Sequence, residues 1–322
     1  MKLKEKVLES LMENGDKYVK GTAIAKECGV SRNAVWKVMK QLEEEGYQIE
    51  ASKKSGYRVV KHNVLSKQLI ESYLETQVYG RELVVLESVD STNNYAKTLA
   101  QNGAADGTAV ASDCQTAGKG RMGRIFCSPK GVGLYVSLII KPVSDMHDAQ
   151  LLTACAAVSA AEAVENVSGA QVQIKWVNDL FMGGRKICGI LTEASVSFET
   201  KQLDYAIIGI GINVGTTESF PDELKTIATS IEDETGKFVE RNKLCAELMK
   251  TLEKNVEQLG NGGFMEEYRR RSFIIGKKVK ITRNGQETIG KAVKINDDAS
   301  LQVETEDGLQ LTVNSGEASI CK

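Results

Sequence analysis

Between two strand-like stretches of this chain lies Gly118-Lys119-Gly120-Arg121-Met122-Gly123-Arg124, three glycines interleaved with three cations. The glycines stand in a G-x-G-x-x-G register, which in a dinucleotide-binding fold follows a strand and opens a helix. Here Ile125-Phe126-Cys127-Ser128-Pro129 follows, then Gly131-Val132-Gly133 and the strand-like Leu134-Tyr135-Val136-Ser137-Leu138-Ile139-Ile140. No helix can start there. Asp145 lies about 20 residues on, the spacing of a ribose-binding acid, but it follows Pro142 in a turn. The doubly wound fold is therefore set aside. What remains is a loop whose glycines allow close backbone approach and whose cations suit phosphate or carboxylate oxygens. Taken by itself, the run could also be a solvated basic turn.

The 322 residues suggest two or three domains. Hydrophobic content of 42% with 26% charge is ordinary for a soluble globular chain. A net charge of −2 gives no global pull on nucleic acid, so such binding would need a local patch. Seven cysteines without a C-x-x-C pair point to reduced thiols and a cytoplasmic setting. With only His62 and His147, a multi-histidine metal site and a histidine-backed serine nucleophile are both disfavoured. No apolar run approaches the roughly 20 residues that span a bilayer, and the charged Met1-Lys2-Leu3-Lys4-Glu5-Lys6 lacks a signal-peptide core. No membrane partner is expected.

Residues 1–63 carry the pattern of a winged helix-turn-helix. Leu3, Val7, Leu8, Leu11 and Met12 mark one helix, ended by Asn14-Gly15-Asp16, and residues 22–28 a second, closed by Gly29-Val30. Ser31 then caps a third helix bearing Ala34, Val35, Val38, Met39 and Leu42 on one face. A hairpin follows around residues 52–55. This segment has 13 Lys and Arg against 9 Asp and Glu, opposite in sign to the whole chain. Ser31, Arg32, Asn33, Trp36 and Lys37 lie at the start and exposed side of the third helix, the element that enters a major groove. Lys53 and Lys54 would hold phosphates from the wing. An interaction module of the same shape is the alternative.

A linker or connecting helix is expected over 64–80, a mixed-sheet α/β domain over 81–272, and a small all-β barrel over 273–322. In the central domain, polar and glycine-rich segments fall where strands should end, the usual place for a ligand on a sheet scaffold. They are Asp90-Ser91-Thr92-Asn93-Asn94, the basic loop with Gln115 before it, Lys175-Trp176-Val177-Asn178-Asp179, Gly184-Arg185-Lys186-Ile187-Cys188-Gly189, and Gly209-Ile210-Gly211-Ile212-Asn213. Ser91 could equally cap a helix, Lys175 could be a strand-end lysine in a structural ion pair, and Asp179 could cap a turn. Trp176 fits a core position better than a ligand stack.

Taken together, Ser91-Thr92-Asn93, the 118–124 loop, Lys175-Trp176-x-Asn178-Asp179-Leu180, Lys186-x-x-Gly189-Ile190-Leu191 and Gly211-Ile212-Asn213 resemble the biotin protein ligase family. With a helix-turn-helix in front, the chain is similar to that family's bifunctional form, a biotin–[acetyl-CoA-carboxylase] ligase that is also the biotin operon repressor. The resemblance covers essentially the whole chain in order: DNA-binding domain, catalytic domain of the biotin/lipoate ligase type and C-terminal SH3-like barrel. It implies attack of the biotin carboxylate on the α-phosphate of ATP, then transfer from biotinyl-5′-AMP to a lysine of the biotin carboxyl carrier protein. It also implies Mg²⁺ with the nucleotide, and adenylate-dependent homodimers on operator DNA.

By the same resemblance, Ser91, Thr92 and Gln115 would hydrogen-bond the ureido ring, with Asn93, Gly120 and Gly189 beside the biotin. Lys119 and Arg121 would hold the carboxylate and phosphate side, and Lys186 would bridge carboxylate and α-phosphate as the chief catalytic cation. Arg124, Lys175, Asn178 and Asn213 would lie near the adenylate, Phe126 over the adenine, and Asp179 near Mg²⁺. Three positions depart from the family pattern. Lys119 replaces an arginine and lacks its planar fork, Phe126 stands for a tryptophan, and Val177 stands where proline is common. A ligand sensor without catalysis would predict no ATP–pyrophosphate exchange, and a lipoate ligase would predict exchange with lipoate.

Overall fold

The computed structural model describes residues 3–14, 17–44, 47–62, 64–141, 146–196, 203–283 and 286–321. Gly15 and Asp16 of the first expected turn, Pro142 and Asp145 of the excluded ribose-acid motif, and the Asn284-Gly285 turn lie outside the described residues. The chain forms two compact units, residues 1–64 and 65–322.

In the first unit, helices α1 (Leu3–Glu13), α2 (Gly21–Cys28) and α3 (Arg32–Glu44) precede the antiparallel hairpin β1 (Tyr47–Ser52) and β2 (Gly56–His62). Gly29 ends α2 in the left-handed region at φ 67°, where a Cβ would be penalised. Two residues later Ser31 Oγ accepts the Ala34 amide at 3.2 Å, a side-chain cap that starts α3. Val35, Val38, Met39 and Leu42 are buried, as the helical period demands. Val19 forms an isolated antiparallel bridge to Tyr57 of β2.

The second unit opens on α4 (Lys67–Tyr73). Residues 65–80 are no free tether, because Leu69 and Ile70 are buried and the amides of Gln77, Val78 and Tyr79 donate to the Glu253 carboxylate. Next come β3 (Leu83–Leu86), α5 (Thr92–Gln101), β4 (Ala109–Ser112), β5 (Gly133–Ile140), α6 (Met146–Ser168), β6 (Gln173–Lys175), β7 (Asp179–Met182), β8 (Arg185–Val196) and β9 (Leu203–Asn213). They make a seven-stranded sheet in the order β3-β4-β5-β9-β8-β7-β6. Only β3 and β4 run parallel, so the sheet is mixed. β5 is buried along its whole length, which explains its unbroken apolar run. The alanines of α6, such as Ala156, Ala157, Ala160 and Ala161, are fully buried, and their small size lets the helix pack closely.

Short helices α7 (Asp222–Lys225) and α8 (Ile231–Thr235) follow, then α9 (Arg241–Val256), which packs on α6 and α4, and α10 (Met265–Arg271). The remaining strands β10 (Lys278–Arg283), β11 (Gln286–Ile295), β12 (Leu301–Thr305), β13 (Gln310–Val313) and β14 (Glu317–Ile320) form an antiparallel sheet in the order β13-β12-β11-β10-β14. This sheet is joined to the rest of the unit by directed bonds. Trp176 Nε1 donates to Ala299 O at 2.8 Å, and Arg269 Nε to Ile295 O at 2.9 Å. Trp176 is accordingly a core residue, 3% exposed.

Candidate active site

One cleft, with about 450 Å³ of empty space partly open to solvent, gathers residues from five segments far apart in sequence. Ser91, Thr92 and Asn93 enter from the start of α5, and Gln115 with Lys119, Gly120, Arg121 and Phe126 from the basic loop. Asn178 comes from the β6–β7 turn, and Lys186 and Gly189 from β8. The floor is β8 and β9, including Ile190, Leu191, Gly209, Ile210 and Gly211. Arg124, Lys175, Asp179 and Asn213 do not line the cleft.

The floor explains the glycines. A Cβ on Gly209 would stand 2.1 Å from Asn93 Oδ1, and one on Gly211 2.5 Å from the Phe126 ring. Strand residues without side chains are what let the ligand wall approach the sheet. Phe126 thus lies over Gly211 and Gly189, edge-on to Tyr135 with ring centroids 6.4 Å apart.

At one end of the cleft the polar groups form a dense network. Ser91 occupies the N-cap position of α5, yet its hydroxyl makes no capping bond, so the helix does not consume it. Gln115 Oε1 accepts the Thr92 amide at 2.9 Å, while its Nε2 donates to Ser128 Oγ at 2.9 Å. Ser137, fully buried on β5, lies within hydrogen-bond distance of both Thr92 Oγ1 and Asn93 Oδ1. Asn93 Nδ2 donates to Glu193 Oε2 at 2.6 Å. Neither Ser137, Glu193 nor Ser128 was expected from sequence. The available sign was a lone hydroxyl inside the apolar run 134–140, since a polar group buried that deeply requires a partner.

The cleft cations have partners of their own. Lys119 Nζ is 2.5 Å from Asn94 Oδ1, and Arg121 Nη1 donates to Asn178 Oδ1 at 3.0 Å and Nη2 to Gly316 O at 3.2 Å. Burial is the main influence on the Arg121 guanidinium and lowers its pKa, against the pull of Asp179 and Glu317. Lys186 Nζ lies 2.6 Å from Asp179 Oδ1. The contact is off the hydrogen-bonding direction, so this buried oxygen has charge compensation without a directed bond. Asp179 begins β7, paired with Lys175, and does not cap a turn. Lys175 itself points over the Phe181 ring at 5.9 Å, and Asn213 Nδ2 donates to Thr229 O at 2.9 Å.

The loop that carries the cations is folded on itself. Phe126 N donates to Gly118 O at 2.9 Å and Gly120 N to Arg124 O at 2.7 Å. A Cβ on Gly118 would meet Phe126 O at 2.4 Å, so only glycine fits this closure. Met122, 63% exposed, sits at the tip with φ 56°, a conformation that costs a non-glycine residue about 1 kcal/mol or more.

In the first unit, Ser31, Arg32, Asn33, Lys37, Lys53 and Lys54 are exposed. Trp36 is 52% exposed on α3, so it is not a packed residue. Among the described residues no helix is long and apolar enough to cross a membrane.

Fold and cleft together define a protein ligase of the biotin/lipoate class with a helix-turn-helix module in front. Residues 85–213 match the biotin/lipoate A/B protein ligase family, residues 4–58 an HTH domain, and residues 274–320 the biotin protein ligase C-terminal domain. The chain is 36% identical to the bifunctional ligase/repressor BirA of Bacillus subtilis (strain 168), over 96% of each chain. It is 28% identical to that of Escherichia coli (strain K12), over 97% of this chain and 96% of the relative. The chain belongs to the bifunctional ligase/repressor family. Among solved structures, the biotin protein ligase from Aquifex aeolicus in complex with biotin and ATP superposes with a TM-score of 0.64 at 29% identity, covering 75% of this chain and 99% of that one.

Proposed function

We propose that the protein activates biotin with ATP, giving biotinyl-5′-AMP and pyrophosphate, and transfers the biotinyl group to a lysine of the biotin carboxyl carrier protein of acetyl-CoA carboxylase. One observation carries this reading. Among the described contacts, Lys119 and Arg121 hydrogen-bond only neutral oxygens, and Lys186 alone of the three cleft cations has a carboxylate partner. A cleft with more positive than negative charge suits a reaction that must bring a carboxylate against an α-phosphate. The polar end of the cleft suits a cyclic urea, and the apolar floor the thioether ring and side chain of biotin.

In the first step the biotin carboxylate oxygen attacks the α-phosphorus and the bond to pyrophosphate breaks. Lys186 spans the two anions, and Arg121 offsets the charge that builds on phosphorus. In the second step the carrier lysine's amine attacks the anhydride carbonyl and AMP leaves. Mg²⁺ would enter with the nucleotide. Among the described residues no group of three or more His, Cys, Asp or Glu could hold a metal alone. Asp179 Oδ1, buried and short of a directed bond, is the protein oxygen suited to the ion, in keeping with magnesium held by one or two carboxylates and substrate phosphates. Bound adenylate favours a homodimer that places two copies of α3 on operator half-sites, which represses transcription.

The experiment is biotin-dependent ATP–pyrophosphate exchange. Lys186→Ala is expected to lose at least about 100-fold in kcat, the scale of a removed charge-stabilising group; it also removes the charge beside the buried Asp179 oxygen, so the loss is measured on protein shown to be folded at the assay temperature. Full activity in that variant would sink the role of Lys186. Absence of exchange in the unaltered protein, or exchange with lipoate in place of biotin, would sink the ligase reading.

A further inference from the structure

Glu193, Asn93, Ser137 and Thr92 form a single hydrogen-bonded chain from the flank of the sheet to the wall of the cleft. Its direction follows from proton counting. A carboxylate and a carbonyl only accept. Asn93 faces Glu193 Oε2 at 2.6 Å and Leu191 O at 3.4 Å, so the nitrogen of its amide must point to them and its oxygen away. That oxygen lies 2.6 Å from Ser137 Oγ and accepts the hydroxyl proton. Ser137 has one proton, now committed, and its oxygen is 2.7 Å from Thr92 Oγ1. The proton between those two oxygens is therefore the one from Thr92.

The alternative leaves a short contact without a proton. If Thr92 donated to Gln115 Oε1, 3.1 Å away, Ser137 would face either Thr92 or Asn93, at 2.7 or 2.6 Å, with nothing between the oxygens. Gln115 Oε1 has no need of the Thr92 hydroxyl, because it already accepts the Thr92 backbone amide at 2.9 Å. The amide of Gln115 is fixed from its other side by Ser128, whose hydroxyl in turn donates to Phe126 O at 3.0 Å. Gly209 holds the arrangement in register, since any Cβ there would displace Asn93 Oδ1.

The geometry points to Glu193 and Ser137 as positioning residues that commit the Thr92 hydroxyl proton inward, so that Thr92 meets the ligand only as an acceptor and selects an N–H group of its cyclic urea. Neither residue lines the cleft. The inference rests on the biotin reading above and goes beyond it: the polarity of the urea subsite is set through two intermediaries by a carboxylate outside it.

The test is steady-state biotin-dependent pyrophosphate exchange, with KM for biotin, KM for ATP and kcat measured separately and folding followed by thermal melting. Ser137→Ala and Glu193→Gln each allow the chain to reverse or break. Each is expected to raise the biotin KM roughly three- to tenfold, the worth of one net hydrogen bond, with ATP KM and kcat within about twofold of the original. An unchanged biotin KM in both single variants overturns the proposal. So does an equal rise in the ATP KM, which marks a merely structural role. Failure of the ligase reading would show earlier, as no exchange in the unaltered protein.

Discussion

Arg124 and Glu317, 193 residues apart, meet fork to fork, Nη1 at 2.9 Å from Oε1 and Nη2 at 2.6 Å from Oε2. The loop expected to grip phosphate is thus tied through Arg124 to the first residue of β14, and Arg121 adds a second tie to the carbonyl of Gly316. The Arg124 side chain is 66% exposed, so the pair contributes at most about 1 kcal/mol to folding. Its effect is on where the loop sits. Glu317→Ala is expected to raise the KM for ATP about threefold, by loosening Arg121 in the cleft, while the melting temperature at neutral pH falls by no more than about 2–4 °C. An ATP KM equal to the original would show the tether to be idle.

The same pair gives a pH dependence. The hydrogen bond from Arg124 holds the Glu317 carboxyl below its ordinary value of 4.5, the leading cause of the shift. A carboxylate depressed in the folded state stabilises fully above the unfolded value and loses that contribution as pH falls through the folded one. Melting curves of the original protein and Glu317→Gln should therefore differ at neutral pH and converge in acid. Divergence on acidification would reverse the assigned sign.

Asp113 accepts from Arg241 Nη1 at 2.6 Å, and the Arg241 side chain is 1% exposed. Arg241 also donates to Gly133 O at 2.8 Å, so the pair ties the start of α9 to the start of β5. Asp113→Ala removes a carboxylate from a guanidinium that is almost wholly buried and is expected to cost about 3 kcal/mol, the lower end for breaking a buried pair. Urea unfolding measures this, and a loss under about 1 kcal/mol would contradict it.

Gly209→Ala tests the floor of the cleft. Its Cβ collides with Asn93, not with solvent, so exchange activity should fall by roughly tenfold or more through the biotin KM, in line with an overpacking cost of about 1–3 kcal/mol. Activity close to the original would mean that Asn93 can move without consequence.

Lys53 and Lys54 are exposed on the turn between β1 and β2. If they hold phosphates, replacing both with alanine weakens binding across operator sequences alike and lowers the slope of log K against log salt by about 2. A slope equal to the original would remove the wing from the interface.

How far the sequence was legible depended on how local each signal was. The apolar face of α3, its Ser31 cap and the continuous run of β5 are patterns within a dozen residues, and they were visible. The basic loop was equally plain as an anion site, but Arg124's partner is 193 residues away and nothing near it announces Glu317. Strand β7 was missed because four residues are too few to establish an alternation, and α7 and α8 are shorter than two helical turns. The connecting helix that is one of the two expectations for 64–80 is present as α4, but that the segment is held in place was not legible, because the Glu253 carboxylate that fixes the amides of residues 77–79 lies on α9, in another part of the chain. Asp179 was placed near the metal or at a turn, and its contact with Lys186 depends on the pairing of β7 with β8.

The separation of Arg124 from Glu317 also bears on the order of events during synthesis. A polypeptide emerges from the ribosome N-terminal end first, so the basic loop is exposed for nearly two hundred residues of translation before its carboxylate exists. Only when β14 has docked is Arg124 held by a carboxylate, so a strand made near the end of synthesis fixes the resting place of a loop made in the first half of the chain.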